Sequence, residues 1–363
     1  MKSKKIRTII EIVIVMLICF SEQSLAQTTT FEMIEPEMKI QNSRFDKLSF
    51  IDSRADTISL GNVQKGFLNQ RTAVIAKRPL EDQIKDTFVK LTDASAQKGT
   101  LVFQLRQLNF AELTTATKET GYCTFRARLY QFNGDMYEEL MSIDTVVSAN
   151  AMDVTHRLYK KGSKLISGFI ADNLSATPVN GTKFTYNEVL HIDSIERSKM
   201  KLFAATTYTD GLYKNYSSFN QQTPDYKNVI VEVKDKEITT LKINDEYGKP
   251  IVPEEAYALV YEGKPYILTA EGNYLLRKEG TDFCFTGLYK SGTKTGAVLA
   301  TAALFGAAGV LFSHDFKSTN YYDIKLDYLN GSFIPYRQLS KNELKLKRKS
   351  GQIPSRVFKD DSY

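Results

Sequence analysis

The chain of 363 residues has no tryptophan, three cysteines and three histidines. Cys19 lies in an apolar N-terminal run, which leaves Cys123 and Cys284 for the rest of the chain. Two thiols cannot staple a disulfide scaffold. Even with His156, His191 and His314 they are too few and too scattered for most zinc folds. There is no His-x-x-x-His or His-Glu pair, Gly-x-Ser-x-Gly elbow, phosphate-binding loop or dinucleotide fingerprint. His191 and Asp193 stand two apart, as ligands on a strand would, but a lone pair reads as a surface feature. No catalytic residue, metal ligand or cofactor is therefore assigned. Any hydrolase site would have to be built from residues that form no motif.

A 42% hydrophobic and 25% charged composition excludes wholesale disorder and a multi-span membrane protein, and the length suits two domains. The net charge of +6 is unevenly placed. Lys2, Lys4, Lys5 and Arg7 precede an apolar run from Thr8 to Phe20, broken only by Glu11, and Ser24-Leu25-Ala26 follows. This is the layout of a secretory signal cleaved before Gln27, with an uncleaved anchor as the alternative. Bulky Ile18 before Cys19 argues against lipid attachment there. Four basic and two acidic residues fall in 1–26, and seven basic and three acidic in 341–363, so the body between them is neutral. No nucleic-acid partner is expected for such a body.

Residues 38–176 read as a mixed α/β domain. A strand near Leu48–Ile51 leads into Asp52-Ser53-Arg54-Ala55-Asp56, where Asp52 and Arg54 are placed to form an ion pair ordering the turn. Pro79 opens a helix whose Leu80, Ile84, Phe88 and Leu91 share one face. Strands follow at 100–110 and 122–132, where Cys123 alternates with Phe125, Ala127 and Leu129. Asn133-Gly134 signals a type I′ hairpin into a strand at 136–147. Asp153 is placed to cap a second helix carrying Leu158, Leu165 and Phe169. Residues 175–182 read as a linker, and 183–338 as a β-rich domain with turns at Gly248, Gly263 and Asn330-Gly331. The fold class is thus α+β, with an N-terminal mixed sheet carrying helices on one face and a C-terminal β-rich domain. A buried free thiol is the simplest reading of Cys123 and Cys284, with a bridge between them left open.

One element is foreign to the β-rich part: Thr295 to Ser313 carries no charge and is rich in Ala and Gly. As a helix it would be about 28 Å long, near the hydrocarbon thickness of a bilayer. Ala302/Gly306 and Ala303/Ala307, with Gly309, form a small-residue stripe suited to a membrane surface or to self-association. Three readings stay open: a span, a surface or self-association contact, and a buried element packed on the sheet. The tail begins with a capping-box pattern, Ser340 to Glu343, and continues into Lys347-Arg348-Lys349. It reads as a solvated terminus or as a basic helix meeting anionic lipid or a partner.

Two resemblances bear on function. The strand, Asp52-Ser53-Arg54, Gly61, amphipathic helix and closing sheet over 38–176 resemble envelope lipoproteins of the ABC-transport auxiliary type, without their lipid-bearing Cys. The run Tyr208-Thr209-Asp210-Gly211-Leu212-Tyr213 with Phe219 and Pro224, and the stretches Tyr257–Ile267 and Asn330–Tyr336, are similar to uncharacterised exported proteins of Bacteroidetes. These likenesses imply an exported, periplasmic or outer-membrane-peripheral accessory or binding protein with no catalytic role. Its expected partners are a membrane surface, envelope proteins or further copies of itself. A self-associating structural envelope protein is a further alternative.

Overall fold

The longest alternating runs of the sequence become the longest strands of the molecule. A computed structural model describes residues 28–65, 70–114, 119–150, 154–178, 181–234, 237–269, 272–289, 320–350 and 353. The first sheet contains β1 (Thr28–Phe31), β2 (Lys47–Asp52), β3 (Ser59–Lys65), β4 (Gln70–Ala76), β5 (Thr100–Thr114), β6 (Glu119–Phe132), β7 (Tyr137–Asn150) and β8 (Lys183–Phe184). Its order is β1-β4-β3-β5-β6-β7-β8. β2 and β3 share one edge of β5, β2 lying parallel to Thr100–Leu105 and β3 meeting Phe110 and Ala111. β5, β6 and β7 form a long antiparallel meander. Its Asn133-Gly134 turn is a four-residue loop in which only Gly134 takes a positive φ, +99°.

The period-2 alternation of strands sends successive side chains to opposite faces. Phe103, Leu105, Phe110, Phe125 and Ala127 are fully buried beneath two helices, α1 (Leu80–Leu91) and α2 (Val154–Ala171). The four apolar residues read as one face of α1 all lie in this core. Burying each large aliphatic or aromatic side chain contributes about 1.5–3 kcal/mol. Pro79 stands one place earlier than its sequence pattern implied: it is the cap residue and Leu80 the first helical one. Asp153 lies outside the described residues, so the start of α2 carries no described cap.

The other face of the sheet is covered differently. The chain after residue 176 does not leave the first sheet at once. β8 pairs with β7, and the short helices α3 (Tyr186–Leu190) and α4 (Ile192–Ser198) bury Val189 and Ile192 against Val102, Tyr130 and Phe184. This helical stretch falls where the sequence reads as strand-rich. It begins with a capping box, Thr185 and Glu188, a local signal that the apolar pattern alone does not carry.

Beyond it, α5 (Lys201–Ala204), β9 (Gly211–Tyr213) and α6 (Tyr216–Asn220) lead into a β-rich half. A hairpin sheet holds β10 (Val229–Lys234), β11 (Glu237–Asn244) and β12 (Pro250–Ile251). A second sheet holds β13 (Ala258–Tyr261), β14 (Lys264–Thr269) and β15 (Gly272–Leu275) in the order β15-β14-β13-β9. A third holds β16 (Arg277–Glu279), β17 (Asp282–Tyr289), β18 (Asn320–Leu326) and β19 (Phe333–Gln338), paired in chain order. Its core is aromatic: Tyr213, Phe219, Tyr274, Phe283 and Phe285 are all buried. The molecule is α+β, with a mixed N-terminal sheet, two long helices on one of its faces and a β-rich C-terminal half.

The start of the basic tail is an ordered helix, α7 (Lys341–Lys349), with the Ser340/Glu343 capping box formed. Leu344 packs on the aromatic core, and Lys347 Nζ donates to Asp323 Oδ1 at 2.6 Å and to Thr286 Oγ1 at 2.9 Å. Arg348 lies over the Tyr321 ring. Two of the three basic residues in Lys347-Arg348-Lys349 therefore hold the helix to its own sheet. No helix among the described residues is long and apolar enough to cross a membrane. Residues 1–26, the stretch 295–313 with Ala302, Ala303, Gly306, Ala307 and Gly309, and His314 lie outside the described residues.

Candidate functional site

The densest charged cluster sits where the two halves meet. In β6, Arg126 and Arg128 are two apart and so share the face opposite α1 and α2. In β5 the register slips between Leu105 and Gln107, which makes Arg106 the extra residue of a β-bulge. All three arginines are buried, at 8–9% exposure. Buried guanidinium groups need partners, and two segments supply them. α4 presents Asp193 and Glu196 three residues apart on one face, and the turn after β18 presents Asp327 and Tyr328.

Arg106 donates to Asp193 Oδ1 at 2.9 Å through Nε, to Glu196 Oε2 at 2.7 Å through Nη2, and to the Tyr328 hydroxyl. Arg128 donates to Glu196 Oε1 and lies 3.3 Å from Glu139. Arg126 bonds Asp327 at 2.8 Å and pairs with Asp144 at 3.1 Å. Tyr328 in turn donates to Glu196 at 2.5 Å, with Arg197 over its ring. The backbone of this turn is held from the C-terminal side. The Tyr216 hydroxyl donates to the Tyr328 carbonyl at 2.5 Å, and the Tyr257 hydroxyl donates to the Gly331 carbonyl at 2.6 Å. Gly331 has φ +76°, and a Cβ there would overlap the Tyr216 ring, so the turn requires glycine.

Burial acts to raise the Glu196 pKa, but Arg106, Tyr328 and Arg128 together outweigh it and hold the carboxyl below its ordinary value. Burial pushes the Tyr328 hydroxyl up. For Arg106 burial works against the charge, yet Asp193 and Glu196 prevail and strengthen its hold on the proton. Glu196 and Arg106 are thus held in their charged forms and Tyr328 in its neutral form, so the cluster fixes charge in place. The cluster's chemistry is that of a joint.

A second place combines polar and apolar groups. Asp52 and Arg54 form a bidentate pair, with Nε to Oδ1 at 2.9 Å and Nη2 to Oδ2 at 2.7 Å. Arg54 Nη2 also donates to the Thr57 carbonyl at 2.9 Å, and Asp56 Oδ1 accepts from the amides of Ile58 and Ser59. The turn is thus cross-braced by its own side chains. Beside it lies a half-open cavity of about 330 Å³, bounded by the ends of β2 and β4, the start of β3 and the first turn of α1. A smaller groove of about 170 Å³ lies between α1, α2 and the segment around Pro36.

His191 and Asp193 do not converge: His191 Nδ1 bonds the Asn187 carbonyl at 2.8 Å, while Asp193 is committed to Arg106. Among the described residues no three His, Cys, Asp or Glu side chains gather as a metal site. Cys123 and Cys284 are both buried and form no disulfide, and burial pushes the Cys123 thiol up. The residues that sequence reasoning passed over are Arg106, Arg126 and Arg128. Their signal was present in Gln104-Leu105-Arg106 and Arg126-Ala127-Arg128, which place polar side chains at alternate positions of otherwise apolar strands.

No protein-family model matches the chain, and no curated protein matches it. Among solved structures it is similar to a Xanthomonas campestris protein of the DUF330 family, at 10% identity and a TM-score of 0.27, covering 40% of this chain and 93% of that one. It is also similar to an uncharacterized protein at 13% identity and a TM-score of 0.20, covering 38% of this chain and 98% of the other. Likenesses of this size carry no functional argument.

Proposed function

We propose that this protein is an exported envelope protein, periplasmic or at the outer-membrane periphery, that serves as an accessory or binding module and not as a catalyst. The observation that carries the reading is the disposition of its charge. The buried arginines of the first sheet, Arg106, Arg126 and Arg128, are spent on carboxylates at the joint, while beside the Asp52–Arg54 turn lies a half-open cavity of about 330 Å³ lined by Phe50, Ile58, Leu60, Ala76 and Leu80 together with Asp52, Arg54 and Glu81. That combination is the makeup of a binding site. The leader-like N-terminus and the likeness to auxiliary lipoproteins and exported Bacteroidetes proteins support the compartment. The uncharged stretch 295–313 supports a membrane surface or a second copy as partner.

The test is cellular fractionation with N-terminal sequencing of the mature chain. Export predicts a chain beginning at Gln27 in the envelope fraction, and an intact Met1 in the cytoplasm overturns it. Carbonate extraction then separates a surface contact, which is released, from a span, which is retained. Changing Gly306 and Gly309 to Leu alters the oligomeric state if that stretch mediates self-association.

A further inference from the structure

The geometry points to the outward face of α7 as a contact for an anionic lipid bilayer, in which a stripe of basic side chains meets lipid phosphates. The inference rests on the reading of this protein as an envelope protein, and it names the lipid chemistry and the residues that meet it.

The positive excess of the tail is concentrated in this helix. Within α7, Lys341, Lys345, Lys347, Arg348 and Lys349 stand against Glu343 alone, while Arg356 and Lys359 beyond it are balanced by Asp360 and Asp361. Lys347 turns inward to Asp323 and Thr286, and Glu343 is occupied by the Ser340 cap. The other four cations are exposed. At about 100° per residue they fall within one arc of about 100°, with Lys341, Lys345 and Lys349 spaced along it one turn apart. Arg348 closes the arc, steadied over the Tyr321 ring at 5.4 Å. Among the described residues, no carboxylate pairs with Lys341, Lys345 or Lys349. Like charges four apart destabilise a helix, so a helix that faced only water would be better served by alternating signs. A stripe of one sign is matched by an anion from outside.

Two further observations favour lipid over an acidic protein. Leu346 stands beside the stripe and is 67% exposed, whereas Leu344 packs on the aromatic core. Cations with an exposed leucine at their margin suit a helix lying in a bilayer interface, where the charges meet phosphates and the apolar side chain enters the acyl boundary. Second, α7 starts at the end of the third sheet where the chain leaves at Tyr289 and returns at Asn320. Those two residues pair with each other, and the Leu339 amide donates to the Tyr321 carbonyl at 2.9 Å. The sequence that leaves there includes the uncharged stretch 295–313. The basic helix and the uncharged stretch therefore arise from one end of one sheet.

The experiment is sedimentation of the full mature chain with vesicles of phosphatidylcholine alone and of an equimolar mixture with phosphatidylglycerol, at low and high salt. Salt-sensitive binding to the mixed vesicles, at least tenfold tighter than to phosphatidylcholine, supports the contact. Each basic residue near an anionic surface strengthens binding about fivefold, so Lys341→Gln, Lys345→Gln and Lys349→Gln together should weaken it about 100-fold. Glutamine keeps the helix propensity, and Glu343 and Lys347 are untouched, so the melting temperature of this variant should not fall. Leu346→Cys locates the contact: with Cys123 and Cys284 buried, a polarity-sensitive dye on the new thiol should shift to the blue on mixed vesicles. Equal binding to both vesicles, undiminished binding by the triple variant, or a dye that stays in water while the protein sediments overturns the inference. So does the absence of vesicle binding, or tighter capture by soluble polyglutamate, which would make the partner an acidic protein. Failure of these tests with envelope fractionation intact leaves the exported protein standing, so the two failures are distinguishable.

Discussion

Glu196 holds the joint together, and replacing it by Gln is the sharpest perturbation of it. The variant keeps the shape of the side chain and removes one negative charge from between two buried arginines. Arg106 donates to Oε2 at 2.7 Å, Arg128 to Oε1, and the Tyr328 hydroxyl to Oε2 at 2.5 Å. Removing one member of a buried pair costs about 3–5 kcal/mol, because the charge left behind stays desolvated. Here each arginine keeps a second carboxylate, Asp193 or Glu139, and Glu196 itself is 19% exposed, so the lower end applies, about 3 kcal/mol. Urea unfolding at pH 7, followed by circular dichroism and tyrosine fluorescence, reads this as a lower midpoint. The pH dependence fixes the cause. The folded-state pKa of Glu196 lies below its unfolded value, so its contribution is present above about pH 4.3 and fades as pH falls through the folded value. The gap between wild type and Glu196→Gln should therefore be constant from neutrality down to the carboxylate range and close below it. A loss under about 1 kcal/mol, the range of a solvated surface pair, refutes the reasoning. So does a gap that persists unchanged in acid, or the absence of coupling with Arg106→Gln in a double-mutant cycle.

Other perturbations test the packing. Gly162 lies where α2 crosses the sheet, and a Cβ there would sit 2.8 Å from Phe110 Cε1 and 3.1 Å from Cys123 Sγ. Gly162→Ala should thus destabilise by about 1–3 kcal/mol by overpacking, despite the better helix propensity of alanine; a raised melting temperature would contradict the close approach. Burial pushes the Cys123 thiol up, so a maleimide should label it at pH 8 only once the chain unfolds, as mass spectrometry across a urea series would show. Lys347→Ala should release α7 from Asp323 and Thr286, at about 1–3 kcal/mol, and raise hydrogen exchange across 341–349.

Much of the N-terminal sheet was legible because its signals are local. The spacing of Leu80, Ile84, Phe88 and Leu91 and the alternation through Phe125, Ala127 and Leu129 each specify one face of one element, and both faces are buried as read. Local patterns do not say which strands neighbour which. β3 and β4 went unseen, since Ser59–Lys65 and Gln70–Ala76 alternate weakly and lie on either side of a mixed edge. The joint was illegible for a stronger reason. Arg106 and Tyr328 stand 222 residues apart, and neither belongs to a motif. Asp52 and Arg54, two apart, could be paired from sequence; the cavity beside them could not, because β2, β4 and α1 build it together.

The neutral charge of the body now takes on a structural meaning. Neutrality could arise from scattered surface charges, yet here part of it is a matched set turned inward, three arginines against carboxylates from α4 and from the 327–328 turn. An apolar joint of the same size would hold the halves at least as firmly, since buried ion pairs gain little over well-packed hydrophobic residues. What the ionic version adds is discrimination between dockings. The bulge sets Arg106 between the register pairs of Leu105 and Gln107, and a sheet slipped by one residue would send Arg126 and Arg128 into the core beneath α2. A turn displaced from its seat would leave Asp327, Arg126 and Arg106 short of a partner, a penalty of several kcal/mol that an apolar surface would not impose. The joint therefore selects one arrangement of the two halves.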